Sequence, residues 1–211
     1  MKPRILRMLS GSGAVMALAG LALLGWCAVS LTRAYLYQQE RAAELDREMR
    51  LRPVEAAIPV KPPGGALLGS VSIPRVGVSS VIIEGADSEE LAISVGHIPG
   101  TSLPGQEGNV ALAGHRDTFF RGLQNIRPGD DILLTTPHGT RLYEVDSMRV
   151  VAPKDTYVLN DAGRPQLTLV TCYPFHYVGP APDRFIVQAR MLGKPRPAAH
   201  LDSILSTTGG E

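Results

Sequence analysis

Two cysteines are present, and only one of them stands where a thiol could do chemistry. Cys172 ends the run Thr168-Leu169-Val170-Thr171 and is followed by Tyr173 and Pro174. Apolar and β-branched residues in that order read as a strand, and proline ends it, so Cys172 is expected at a strand's end facing a loop. Loops carried on rigid strands are where reactive groups are displayed. A lone thiol there is either a small buried hydrophobe or, as the thiolate, a nucleophile for acyl transfer. The second role needs a proton acceptor and a donor for the oxyanion that forms.

Five histidines are available as acceptors. His200 lies in the terminal segment and is set aside. His138 stands in Pro137-His138-Gly139 and reads as a solvated turn residue. His97 follows Gly96 at the expected end of a helix over 88–95, where a cation suits the helix dipole, so it reads as a cap. Two remain. His176 is in the loop just after Cys172, and His115 follows the apolar Ala111-Leu112-Ala113-Gly114 at the end of another expected strand. Local reasoning leaves these two level. Arg184 opens the strand after the Cys172 loop, and its planar, permanently charged fork suits an anionic oxygen. A surface ion pair with Asp183 is the ordinary alternative. One outer cysteine and scattered histidines give no metal-ligand spacing, and no cofactor is expected.

These residues need a frame. The chain has 211 residues, 44% apolar and 19% charged, enough for a packed core and incompatible with wholesale disorder. Its formal charge is +1 and it holds no long basic run, which excludes nucleic-acid binding by charge. Short apolar and β-branched runs at 67–73, 78–83, 109–113, 131–135, 142–151, 166–171 and 185–191 read as strands, each bounded by Gly, Pro, Asp or Asn. Two short helices fit between them, over 88–95 and from an Asp117 N-cap. Many short strands without a long helix argue an all-β domain over 66–192, a closed β-barrel or a sandwich.

Residues 8–32 carry no charge. As a helix they would reach about 37 Å, against a hydrocarbon core of about 30 Å. Lys2, Arg4 and Arg7 precede them and only Arg33 follows closely, so residues 1–33 read as a cytoplasmic tip and transmembrane signal-anchor. Ala28-Val29-Ser30 loosely resembles a cleavage site, but the uncharged run is long for a cleaved signal peptide. Residues 34–65 then form an exposed extracytoplasmic helix, with Leu45 and Met49 four apart, and a Pro/Gly linker through Pro53, Pro59, Pro62, Pro63, Gly64 and Gly65. Residues 193–211 read as a flexible tail. Cys27 falls inside the membrane, so Cys172 is a lone thiol in a compartment where cysteines usually pair.

Thr168-Leu169-Val170-Thr171-Cys172 resembles the sortase pattern Thr-Leu-x-Thr-Cys, and Arg184 matches the arginine one strand later. Gly114-His115-Arg116-Asp117-Thr118-Phe119-Phe120 is similar to the histidine segment of sortases, the class D branch in particular. The resemblance extends from about Gly69 to Arg190. It implies a sortase-type closed barrel of about eight strands with short helices, after one N-terminal transmembrane helix. It also implies Cys172 as nucleophile, His115 as general acid and base, and Arg184 as oxyanion or substrate stabiliser. Thr171, Tyr173 and His176 would then be substrate-binding.

The implied activity is membrane-anchored cysteine transpeptidation. A Leu-Pro-x-Thr-Gly or Leu-Pro-x-Thr-Ala type signal is cut after Thr through a thioacyl-enzyme, and the acyl group passes to an amine of the cell envelope. The implied partners are secreted proteins with a C-terminal sorting signal, an amine acceptor (a cell-wall precursor or a protein lysine) and the lipid bilayer. An L,D-transpeptidase is a rival, but Thr-Leu-Val-Thr-Cys stands where its Ser-His-Gly-Cys would be. A non-catalytic, membrane-tethered β-domain is the other.

The anchor is expected to be retained. N-terminal sequencing of the protein from a membrane fraction should read from within residues 1–7, whereas a start near Leu31 would make the segment a cleaved signal peptide.

Overall fold

The computed structural model describes residues 3–51, 61–161 and 163–193. Two compact units divide at Tyr37. Helix α1 (Pro3–Leu51) supplies the first unit and continues into the second. Between Trp26 and Leu51 there is neither Gly nor Pro, so nothing in the backbone chemistry interrupts it. An apolar stretch within Val15–Arg50 has mean hydropathy 2.0, and none of it is buried against protein. It is long and apolar enough to cross a membrane.

The second unit, from Gln38 onward, is a closed barrel in the order β1-β2-β3-β4-β7-β8-β6-β5. Its strands are β1 (Leu67–Ile73), β2 (Val78–Glu84), β3 (Val95–His97), β4 (Asn109–Ala113), β5 (Asp131–Thr136), β6 (Gly139–Val151), β7 (Gln166–Tyr173) and β8 (Asp183–Met191). Pairs β2–β3 and β4–β7 are parallel and the others antiparallel. Alternate residues fill the interior. Val110 and Leu112 of β4, Leu167 and Leu169 of β7, and Val187 and Ala189 of β8 share one core with Ile132, Leu134 and Val145. Closure removes free edges, and the expected barrel stands.

Several local expectations change. The helix expected over 88–95 is α2 (Ser88–Ile93), ending at Ile93, and Val95–His97 is a strand too short to carry a periodic signal. No helix starts at Asp117; the chain turns over residues 116–120 and then forms a 3₁₀ segment, Arg121–Asn125. Nor is the helix beyond Tyr37 simply exposed. Leu45 is 3% exposed. The Gln38 side-chain amide donates to the Ile93 carbonyl at 2.6 Å, and its oxygen accepts from the Val81 N–H at 2.9 Å. Parallel pairing with β3 begins only at Ile82, so Gln38 supplies the partner that Val81 lacks. Part of the expected linker, 52–60, and the expected tail from residue 194 lie outside the described residues. Linker residues nearer the barrel are docked, the Gly65 N–H donating to the Glu84 carbonyl at 2.8 Å.

One ion pair joins the turn after β1 to the start of β5. Asp130 is 7% exposed, and Arg75 donates to both its carboxylate oxygens from Nε and Nη2. A second donor is the Arg127 N–H at 2.7 Å. The Arg75 hydrogen bonds hold the Asp130 carboxyl below its ordinary range, against burial, which pushes it up. A folded value below the unfolded one means the stabilisation is complete above the ordinary carboxyl range of about 3.9. It is lost as the pH falls through the folded value. Asp130→Asn should therefore be less stable than wild type at neutral pH, with the difference shrinking on acidification. Urea unfolding at neutral pH and at about pH 3 measures this; a difference that did not shrink would mean the charge on Asp130 is not what stabilises the turn.

Candidate active site

The parallel seam between β4 and β7 pairs Ala113 with Val170. It continues one step past β4, where the Gly114 N–H donates to the Val170 carbonyl at 3.1 Å. The Thr171 hydroxyl donates back to the Gly114 carbonyl at 2.7 Å. Counting two residues on from Ala113 and from Val170 brings His115 level with Cys172. On the other flank, the antiparallel β7–β8 register pairs Cys172 directly with Arg184. Cys172 thus lies on a middle strand, with His115 next to the last hydrogen-bonded residue of the seam on one side and Arg184 opposite it on the other. All three are half-buried.

Parity along β7 decides which side chains are available. Leu167 and Leu169 face the core. Thr171, two further on, is 2% exposed and uses its hydroxyl on Gly114. That bond joins β7 to the segment after β4. Tyr173 follows the same parity. Its ring stacks on Phe185 at 6.2 Å and meets Phe175 edge-on, with Phe175 and Phe185 themselves 5.4 Å apart. Phe175 and Phe185 also pack against the core. His176 is exposed in the following loop.

The other expected residues sort clearly. Among the described residues, Arg184 makes no ion pair with Asp183; its Nη1 donates to the Asp183 carbonyl at 2.9 Å and the Ala181 carbonyl at 3.3 Å. His97 is not a helix cap. It is 1% exposed within β3, with Nδ1 2.7 Å from Glu84 Oε2 and Nε2 3.0 Å from both the Ser102 carbonyl and the Thr101 hydroxyl. His138 sits half-buried in the β5–β6 turn. Among the described residues no three His, Cys, Asp or Glu side chains converge to hold a metal ion.

One side chain has no warning in the sequence. Arg116, next to His115, donates from Nη1 to the Pro174 carbonyl at 2.9 Å and from Nη2 to the carbonyls of Tyr177 at 2.8 Å and Gly179 at 3.2 Å. Its guanidinium carbon lies 5.8 Å from the Tyr177 ring centre. These partners are some sixty residues away along the chain, beyond any local pattern.

Residues 71–192 match the sortase domain family. The chain is 36% identical over 131 residues to sortase D of Bacillus subtilis (strain 168), an alignment covering 62% of this chain and 66% of that protein. It is 28% identical over 134 residues to sortase A of Streptococcus agalactiae, covering 59% of this chain and 53% of that one. The chain therefore spans between about half and two thirds of these curated relatives. Among solved structures, a Clostridium perfringens sortase D5 transpeptidase superposes with a TM-score of 0.66 at 29% identity, over 74% of this chain and 99% of that one. Sortase E1 from Streptomyces coelicolor, with a tripeptide in its active site, gives a TM-score of 0.57 at 29% identity over 62% and 91%.

The His115 segment is held by a tight contact that can be tested. A Cβ on Gly114 would lie 2.8 Å from Cδ2 of Phe120, a fully buried ring, while the Phe120 N–H donates to the His115 carbonyl at 3.0 Å. Gly114→Ala should cost about 1–3 kcal/mol by overpacking. Combined with Phe120→Leu it should cost less than the sum of the two, by at least about 0.5 kcal/mol. Denaturant unfolding of the four proteins reads this, and a Gly114→Ala variant as stable as wild type would mean the Phe120 ring gives way freely.

Proposed function

The chain belongs to the sortase family, and on that premise we propose that it is a membrane-anchored cysteine transpeptidase acting outside the cytoplasm. Its substrates are secreted proteins bearing a Leu-Pro-x-Thr-Gly or Leu-Pro-x-Thr-Ala type sorting signal. Its acceptor is an amine of the cell envelope, on a wall precursor or a protein lysine. The orientation rests on Lys2, Arg4 and Arg7, which precede an apolar stretch followed closely only by Arg33. The same orientation gives a single-pass protein of the cell membrane.

The register around Cys172 is what supports the chemistry. Cys172, as thiolate, attacks the Thr carbonyl carbon, and the carbonyl oxygen becomes an oxyanion. Arg184 stands across the ladder as the donor for that oxygen, with Nε and Nη2 unengaged among the described residues. Collapse of the tetrahedral adduct breaks the C–N bond. His115, as imidazolium, gives its proton to the departing amine and leaves a thioacyl-enzyme with neutral imidazole. The incoming amine then attacks the thioester, His115 takes its proton, and Cys172 departs as thiolate. No atom beyond the substrate, the acceptor and these three side chains is needed. His176, exposed in the loop after Cys172, is left as a contact to the peptide.

The full chain in detergent, offered a small library of Leu-Pro-x-Thr-x peptides, should give a thioacyl adduct visible by mass spectrometry. Cys172→Ala should abolish it. His115→Ala should be nearly as severe and His176→Ala mild; the reverse order in single-turnover assays would move the acid–base role to His176. Arg184→Lys keeps the charge and loses the planar fork, so turnover should drop by about a hundredfold to a thousandfold. Near-normal turnover would reduce Arg184 to a structural residue.

A further inference from the structure

The loop that follows Cys172, residues 174–182, joins β7 to β8 and holds three prolines, Pro174, Pro180 and Pro182, which have no N–H to donate. Among the described residues no backbone-to-backbone hydrogen bond begins or ends within it outside the strands. Its tip is apolar and open, with Val178 fully exposed and Tyr177 46% exposed. A segment with so few internal hydrogen bonds opens easily unless something else holds it.

Two guanidinium groups hold it. Arg184 Nη1 donates to the Ala181 carbonyl, and Arg116 donates to the carbonyls of Pro174, Tyr177 and Gly179. Arg116 thus engages both arms of the loop, from Pro174 beside the nucleophile strand to Gly179 past the tip. With three carbonyls accepting from its fork and Tyr177 beneath it, this guanidinium is occupied by the protein and is not the donor to an incoming peptide.

We propose that Arg116 is a positioning residue, fixing the 174–182 loop against the segment that carries His115 and so presetting one wall of the peptide groove. The proposal rests on the acyl-transfer reading above. His115 itself is held separately, by the Gly114 and Phe120 main-chain bonds, and those remain when the Arg116 side chain is changed. Loss of Arg116 therefore loosens the wall and leaves the reacting groups where they are. A peptide that must order the loop on binding binds less tightly, while the step after binding changes little. Lysine offers one compact ammonium in place of a fork and cannot span three carbonyls, so it restores only part of the effect.

Hydrogen exchange and steady-state kinetics on the full chain in detergent test this, with wild type, Arg116→Met and Arg116→Lys. In Arg116→Met, amides of 175–181 should exchange about tenfold faster while those of β7 keep their protection. KM for a cleaved sorting peptide should rise about tenfold with kcat within about threefold of wild type. Arg116→Lys should fall between. Unchanged loop exchange in Arg116→Met would overturn the proposal, as would a fall in kcat at constant KM, or loss of β7 protection together with the loop. A wild-type chain that turned over none of the peptides would overturn the transpeptidase reading instead, while the exchange comparison would still decide whether Arg116 clamps the loop.

Discussion

The parallel seam between β4 and β7 carries the site. Two strands far apart in sequence leave the barrel at the same end only because they run in the same direction, with Ala113 against Val170. Parallel pairing demands a long crossover, and the chain supplies one through β5 and β6 before returning as β7. Had β4 and β7 been antiparallel, the residue after Ala113 would point away from the end where Cys172 emerges. The Thr171 hydroxyl on the Gly114 carbonyl fastens the seam where the ladder runs out. Beyond it, β8 returns antiparallel and brings Arg184 to the register position opposite Cys172.

Arginine side chains do for the loops what the ladders do for the strands. Arg75 donates to the Asn125 carbonyl as well as to Asp130, and Arg141 reaches the carbonyls of Gly105 and Gln106. Arg116 and Arg184 do the same for the loop after Cys172. Each case has a physical reason. A barrel with proline and glycine in its connections has carbonyls with few N–H partners nearby, and a planar fork satisfies two or three at once. Arginine therefore has structural employment in at least four places.

How much of this was legible differs by element. The β-branched runs near 67–73, 109–113 and 166–171 announced their strands because closure buries alternate residues along each, which imprints period two on the sequence. Val95–His97 carried no such imprint, being only three residues long, and His97 was misread with it. The helix expected from Asp117 failed because the chain there curls to put Phe120 against Gly114, a tertiary contact that outranks a local cap signal. Residue type and position bring Cys172, His115, His176 and Arg184 forward, but only the resemblance to the sortase pattern separates His115 from His176. Thr171 and Tyr173 enter only through the sortase resemblance, and no local pattern announces the Gly114 carbonyl that the Thr171 hydroxyl meets or the Phe185 ring on which Tyr173 stacks.

Availability, more than residue type, separates the groups suited to chemistry from those that build the frame. His97 ends β3 and His115 stands two residues past the end of β4, and both precede a loop. The ring of His97 has acceptors at both nitrogens, Glu84 on one side and Ser102 and Thr101 on the other, and is wholly engaged in fixing the β3–β4 connection. The ring of His115 makes no hydrogen bond among the described residues, although its main chain is held by the Phe120 N–H. The same contrast separates Arg116, whose donors are taken by three carbonyls, from Arg184, whose Nη1 alone is engaged. A transpeptidase site needs groups that are held firmly by their backbone yet have open valences at their tips, because donors already aimed into the frame cannot follow charge as it develops on a substrate. Cys172, His115 and Arg184, the proposed reacting groups, are half-buried with such open valences, whereas the side chains of His97 and Arg116 are engaged by the frame.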